Sequence, residues 1–151
     1  MIDGSLATAR LLVFRVGTLV CAVEVDQVRE ILPRLPTTRI PGAPPVVAGL
    51  VNVRGTLVTV VEGWRALRQP EPPAGAQSGS TVLLQVSRGR KVLGFTVDEV
   101  TDLVTVDGAS LDRRQALPGV DPSLVQAVGR RAGGLFVVLD TDALLTPILA
   151  S

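Results

Sequence analysis

An all-β fold made of two similar halves follows from three features of this 151-residue sequence. Fifteen Gly and eleven Pro interrupt the chain often enough to favour short strands joined by turns over long helices. Aromatics are scarce, with three Phe, one Trp and no Tyr, so the core falls to Val and Leu, whose branched or compact side chains suit a pleated sheet. The third feature is an internal repeat. The octet VDQVREIL beginning at Val25 returns as VDEVTDLV beginning at Val97, an offset of 72 residues. Further on, LVTVVE from Leu57 returns as LFVVLD from Leu135, offset by 78, with an Ala-Leu pair after each.

The elements follow in order. Residues 11–16 (LLVFRV) and 19–25 read as strands on either side of a turn at Gly17-Thr18 and predict a hairpin. Asp26 can cap a single helical turn or an irregular corner through Val28, Ile31 and Leu32. Five prolines between Pro33 and Pro45 forbid a regular element before Val46. Residues 46–53 form an apolar run, Arg54-Gly55 a turn, and 56–61 a β-branched strand. A Pro/Gly-rich loop at 68–80 (RQPEPPAGAQSGS) divides the sequence into approximate halves, 8–67 and 81–149, of one domain spanning 8–149, with terminal strands or a helix free to cross between them. Strands follow at 81–86, 92–97, 100–106 and 135–139, and Asp140 or Thr141 opens a last short helix ended by Pro147. Each half is too small to bury much surface alone and gains from a shared interface.

Composition excludes several function classes. Without His and with one Cys, zinc sites and Cys/His or Ser/His catalysis lack material, and an intrachain disulfide cannot form. Cys21 sits in the apolar run LVCAV and reads as core packing. Lys+Arg number 15 against 14 Asp+Glu, and no basic face with interleaved aromatics marks a nucleic-acid surface. The first residues show no basic stretch ahead of an apolar one, and no run approaches the ~20 residues of a spanning helix. A cytoplasmic protein with no cofactor is the expectation.

Chemistry-bearing constellations are few. Asp98 with Asp102, or Glu62 with Asp140, are the available carboxylate pairs, but these acids end strands and begin turns, where they cap backbone N–H groups. The segment GRRAGG from Gly129 to Gly134 lacks the lysine and helix of a phosphate loop and reads as a tight turn. The segment GLVNVRG from Gly49 to Gly55 is distinctive: Asn52 and Arg54 share one face of a strand while Val51 and Val53 point the other way. It reads either as a turn Asn with a solvated Arg, or as a guanidinium offered to a partner.

That segment resembles the G-hydrophobic-x-N-hydrophobic-R-G signature of CheW-like coupling proteins of bacterial chemosensory systems. The resemblance runs from about Leu11 to Leu145 and includes Leu12-Val13-Phe14, Val28 with Glu30-Ile31, Thr38-Arg39-Ile40 with Pro44, Gly94 with Val97-Asp98-Glu99-Val100, and the closing strand. It implies two SH3-like five-stranded β-barrel subdomains on a shared hydrophobic interface. It further implies a non-enzymatic adaptor, associated with receptor arrays, that bridges the helical hairpin at a chemoreceptor's cytoplasmic tip to the regulatory domain of a histidine kinase or to another CheW-like protein. No nucleic acid and no direct membrane insertion are implied. Val28, Glu30, Ile31, Asn52, Arg54 and Gly55, with Val97, Asp98 and Val100 from the other half, would form the partner surface, along an aliphatic seam open to the visiting helix.

The chain departs from the family pattern after the signature, at Thr59, Gly63 and Trp64, and carries Ala22 and Ala127 where family glycines stand. Trp64 is a candidate partner-binding anchor or a core residue, and Gly63 weakens a helix start. The resulting expectation is a divergent coupler that keeps receptor binding while its kinase contact is altered or lost. The alternative is a regulatory or oligomerising β-barrel module of another complex.

Overall fold

The computed structural model describes residues 8–73, 79–87, 89–113, 117, 119–131 and 133–145. Residues 74–78 of the Pro/Gly-rich loop, Arg88, Arg114, Ala132 and Pro147 thus lie outside the described residues. Ten strands carry the fold: β1 (Thr8–Val16), β2 (Leu19–Glu24), β3 (Val28–Pro33), β4 (Val47–Val53), β5 (Thr56–Val61), β6 (Ser80–Val86), β7 (Lys91–Val97), β8 (Glu99–Asp107), β9 (Val125–Arg131) and β10 (Gly134–Leu139). One four-residue helix, α1 (Gly63–Ala66), follows β5, and a 3-10 turn, Asp142–Leu145, follows β10. Among the described residues no helix is long and apolar enough to cross a membrane.

The strands form two five-stranded sheets, ordered β8-β1-β2-β10-β9 and β3-β6-β7-β5-β4. Shifting every strand by five positions in the chain converts one order into the other. Each sheet takes a hairpin from one half of the sequence and three strands from the other half. The chain leaves the first sheet after Glu24 so that β3 can pair with β6, and it returns after Val97 so that β8 can pair with β1. The sheets therefore do not coincide with the halves on either side of the Pro/Gly-rich loop; β1, β2, β6 and β7 cross.

The repeat extends to irregularities. β3 bulges between Val28 and Glu30 against β6, and β8 bulges at the counterpart position, where Phe14 pairs with Val100 and Val13 with Asp102. A second pair of bulges interrupts β4–β5 at Val47/Gly49 and β9–β10 at Val138/Leu139. The extra residue redirects a strand and increases its twist, which lets a short sheet wrap around its own interior. That two separate bulges recur in register is strong support for duplication.

Two sequence expectations are corrected. The corner after Asp26 is a 3-10 turn at Val25–Gln27 followed by a full strand, β3. The Gly129–Gly134 segment is mostly strand: β9 runs to Arg131 and β10 starts at Gly134. Gly129 belongs there because a Cβ would stand 2.4 Å from the Phe136 ring.

Alternation along the strands sorts the side chains into three cores. Leu11, Val13, Ala22, Ala127, Phe136 and Val138 fill the interior of the first sheet. Val51, Val58, Val60 and Leu83 fill that of the second. The third and largest core lies between the sheets and draws on both, including Phe14, Cys21 and Val137 from one and Phe95, Leu84 and Val97 from the other. Phe14 and Phe95 meet there with ring centroids 6.0 Å apart. Cys21 is fully buried in this core, and burial raises its thiol pKa, so it stays protonated and inert.

Candidate functional site

The seam between the sheets is closed along its middle. Phe14, Phe95, Leu84 and Leu93 pack it, each at most 2% exposed. The expected aliphatic seam open to a helix is therefore corrected: the protein's own side chains occupy it. Val97, expected at the partner surface, is 0% exposed and can only pack. Val28 and Val100 are half-buried against the same core, paired with Leu84 and Phe14 across their strands.

What remains open are two margins of that seam. Among the described residues five large aliphatics are exposed, and four form repeat pairs: Ile31 (42%) with Leu103 (56%), and Leu57 (65%) with Leu135 (36%). Each continues the face that builds the shared core. Ile31 stands opposite Val82 and Leu103 opposite Leu12, both core residues, and directly opposed residues share a face. Leu57 alternates with Thr59 and Val61, and Leu135 with Val137 and Leu139. The four mark where one sheet runs out beyond the cover of the other.

Each margin carries an ion pair between an outer strand, β3 or β8, and the distal hairpin of the same sheet. In the first, Arg54 Nη2 pairs with Glu30 Oε1. In the second, Arg131 Nη2 lies 2.7 Å from Asp102 Oδ2. β3 and β4 are the two outer strands of one sheet, and β8 and β9 of the other, so each ion pair draws the open edges of a barrel together. Arg54 has φ +48° and Gly55 φ +88°, the signature of a two-residue type I′ hairpin turn. The Asn52 carboxamide oxygen accepts the Gly55 N–H at 2.7 Å and closes that turn. Glu30, by hydrogen bond and charge, raises the Arg54 pKa above its ordinary value. The Arg131 hydrogen bond, aided by the Leu103 N–H, holds the Asp102 carboxyl below its usual range.

Arg54 thus braces a turn, although its guanidinium side chain remains 68% exposed. Asp98 is committed internally: its carboxylate accepts the Gly17 N–H at 2.7 Å and lies 3.4 Å from Arg15 Nη1, tying the crossing into β8 to the β1–β2 turn. The other acids considered for catalysis are similarly engaged, Glu62 by the Trp64 indole N–H at 2.8 Å and Asp140 by the Ala143 N–H at 3.3 Å.

Of the three departures after the signature, Thr59 and Trp64 are partly exposed and Gly63 is not. Gly63 is buried where a Cβ would stand 2.0 Å from the Thr96 carbonyl oxygen, and its N–H donates to Thr96 Oγ1 at 2.9 Å. Close approach to β7, more than helix propensity, accounts for this glycine. Trp64 is half-buried against the shared core with the Arg65 guanidinium 4.5 Å above its ring centroid. At the margins Leu57, Leu103, Arg130, Arg131 and Leu135 carry no motif of their own in the sequence, and Asp102 stands out there only as half of a carboxylate pair. The signal was present in the repeat, which matches Leu103 to Ile31 and Leu135 to Leu57.

Comparison with known proteins gives a consistent result. The family model described as "CheW-like domain" matches residues 10–148. A protein named chemotaxis protein CheW from Bacillus subtilis is 29% identical over 140 residues, covering 90% of this chain and 86% of the relative. A protein of the same name from Rhizobium meliloti is 33% identical over 98 residues, 64% of this chain and 60% of the relative. The crystal structure of the scaffolding protein TtCheW from Thermoanaerobacter tengcongensis superimposes with a TM-score of 0.83 at 16% identity, covering 92% of this chain and 88% of that one. The two sheets together with this match establish the expected pair of SH3-like subdomains.

Proposed function

As this chain belongs to the CheW-like family, we propose that it is a non-enzymatic cytoplasmic adaptor of a chemosensory pathway, with a docking site on each of two repeat-related margins. The observation that carries this reading is the pairing of exposed aliphatics: Ile31 with Leu103 and Leu57 with Leu135. An adaptor needs two sites on one rigid body, and a duplicated fold with one shared core supplies them. The margin around Ile31, Asn52 and Leu57 receives the helical hairpin of a chemoreceptor tip. Aliphatic anchors bury against an amphipathic helix, and the Arg54–Glu30 pair orients it more than it adds affinity. The margin around Leu103, Arg130 and Leu135 meets the regulatory domain of a histidine kinase or another CheW-like protein.

Kinase contact in this chain is altered or lost relative to the family where it extends beyond that margin to the surface beside α1, because Trp64 replaces the residue usual after the signature there while Gly63 is hidden. Equilibrium binding of the purified chain to a receptor signalling fragment and to a kinase regulatory domain tests both statements. The expected result is firm receptor binding, lost on Ile31→Asp, with weaker kinase binding, lost on Leu103→Asp. Equal, strong binding to both would remove the altered-contact reading, and binding to neither would remove the adaptor reading.

A further inference from the structure

We propose that the hollow beside α1 is a docking site for an extended, acidic, proline-containing segment of a partner protein, with Trp64 as its platform. Pro44, Pro45, Val46, Trp64, Arg65 and Arg68 line this hollow. The two prolines and Val46 make a stiff apolar ledge ahead of β4, and the half-buried indole forms the facing wall. The indole N–H is already satisfied by Glu62, which leaves the ring as an apolar surface with no polar demand of its own. Over the ring lies the Arg65 guanidinium, its central carbon 4.5 Å from the ring centroid. The contact holds the cation over the indole, and a guanidinium placed there can still offer its N–H groups to a carboxylate. Both Arg65 and Arg68 are exposed, and among the described residues neither guanidinium makes a side-chain hydrogen bond or a close ion pair, although Arg68 lies near enough to Asp121 to help lower its pKa.

The charge of the hollow selects the occupant. Its ionisable lining is cationic, so a carboxylate-bearing segment is attracted and a basic one repelled. Proline in that segment matches the ledge and presets an extended backbone with no internal hydrogen bonds, so little entropy is lost on docking. The site lies on the α1 side of β5, apart from Ile31 and Leu103, and the inference stands independently of what those margins bind.

Trp64 is the only Trp, and the chain has no Tyr, so intrinsic emission reports this hollow alone. The probe is a blocked Pro-Glu-Pro-Pro-Glu-Pro peptide titrated into the full chain at low and high salt, beside its Pro-Gln-Pro-Pro-Gln-Pro analogue. The expected result is a saturable emission change that weakens with salt, with the glutamine peptide about tenfold weaker. Arg65→Glu should abolish the change, and Arg68→Asn, a residue that tolerates the positive φ at this position, should weaken it several-fold. Neither side chain is buried, and unaltered denaturation midpoints would certify folding. Equal response to both peptides, or no saturable response, overturns the proposal. So does a concentration-dependent emission shift with sedimentation as a dimer that Glu71→Gln abolishes, because the occupant would then be the chain's own Pro70–Pro73 segment from a second copy.

Discussion

The two margins share a blueprint and differ in charge. Each has an exposed aliphatic on its outer strand, β3 or β8, another at its distal hairpin, and an ion pair linking the two elements. Opposite Leu57 stands Asn52, whereas opposite Leu135 stands Arg130. The acid of the first ion pair is Glu30 and that of the second the shorter Asp102, met by Arg131 from outside the turn where Arg54 sits within it. The repeat thus has two exposed aliphatic margins built alike, and the second carries an additional cation. Under the proposed function that difference would let two sites held rigidly together prefer different partners.

The comparison rests on both margins being held by one core. Phe95→Ala removes the largest contributor from the second sheet, fully buried against Phe14 of the first. It should cost about 3–5 kcal/mol and unfold both sheets in one transition. Chemical denaturation followed by Trp64 emission and far-ultraviolet circular dichroism checks this; a sheet that persists alone would mean two independent margins.

A smaller effect separates the two strand-to-helix junctions. Gly63 and its repeat counterpart Thr141 are both buried, but only Gly63 has a carbonyl oxygen 2.0 Å from where a Cβ would be. Gly63→Ala should cost about 2–3 kcal/mol by overpacking against β7. Thr141→Ala should cost about 1 kcal/mol, the value of its hydroxyl's 3.3 Å hydrogen bond to Gln27. Equal denaturation midpoints for the two variants would show that the junctions do not differ in this way.

Much of the architecture was legible because short apolar, β-branched runs lie between turn residues: β1, β2, β5, β6, β7, β8 and β10 all stand near where those runs fall. Bulges hid the rest. In β3 the extra residue at Arg29 puts Val28 and Ile31 on one face, three positions apart, which imitates a helical turn. In β9 the bulge at Gln126 and the arginines at its end erase the alternation. The site was legible only in part. Asn52, Arg54 and Ile31 could be singled out by residue type, but whether an aliphatic on a strand is covered depends on where the opposing sheet ends. That is why Val97 proved to be core and Leu103 surface.

Ile31→Asp and Leu103→Asp sharpen the comparison at the surface itself. Each should change stability by only about 0.5 kcal/mol, since both side chains are exposed. Each should reduce affinity for one partner about tenfold or more and leave the other unchanged. Loss of both partners in either variant would mean a single shared site.

The smallest expected effect is one of pH. Asp102 has its pKa lowered by Arg131, so it is deprotonated in the folded chain at pH values where an unfolded aspartate binds a proton. Its stabilisation is therefore complete above the ordinary aspartate range and disappears as pH falls through the lowered value. Arg131→Gln should flatten this part of the acid limb of the denaturation midpoint, slightly, because the pair is solvent-exposed. An unchanged acid limb would deny the second ion pair any role in closing its barrel.

The account as a whole stands on simultaneous occupancy. Adding a kinase regulatory domain to chain already saturated with receptor signalling fragment, and following sedimentation, should yield a ternary complex that Leu103→Asp reduces to the receptor-bound pair. If the kinase domain instead displaces the receptor fragment, the two partners compete for one surface and the duplicated margins are not the seat of bridging.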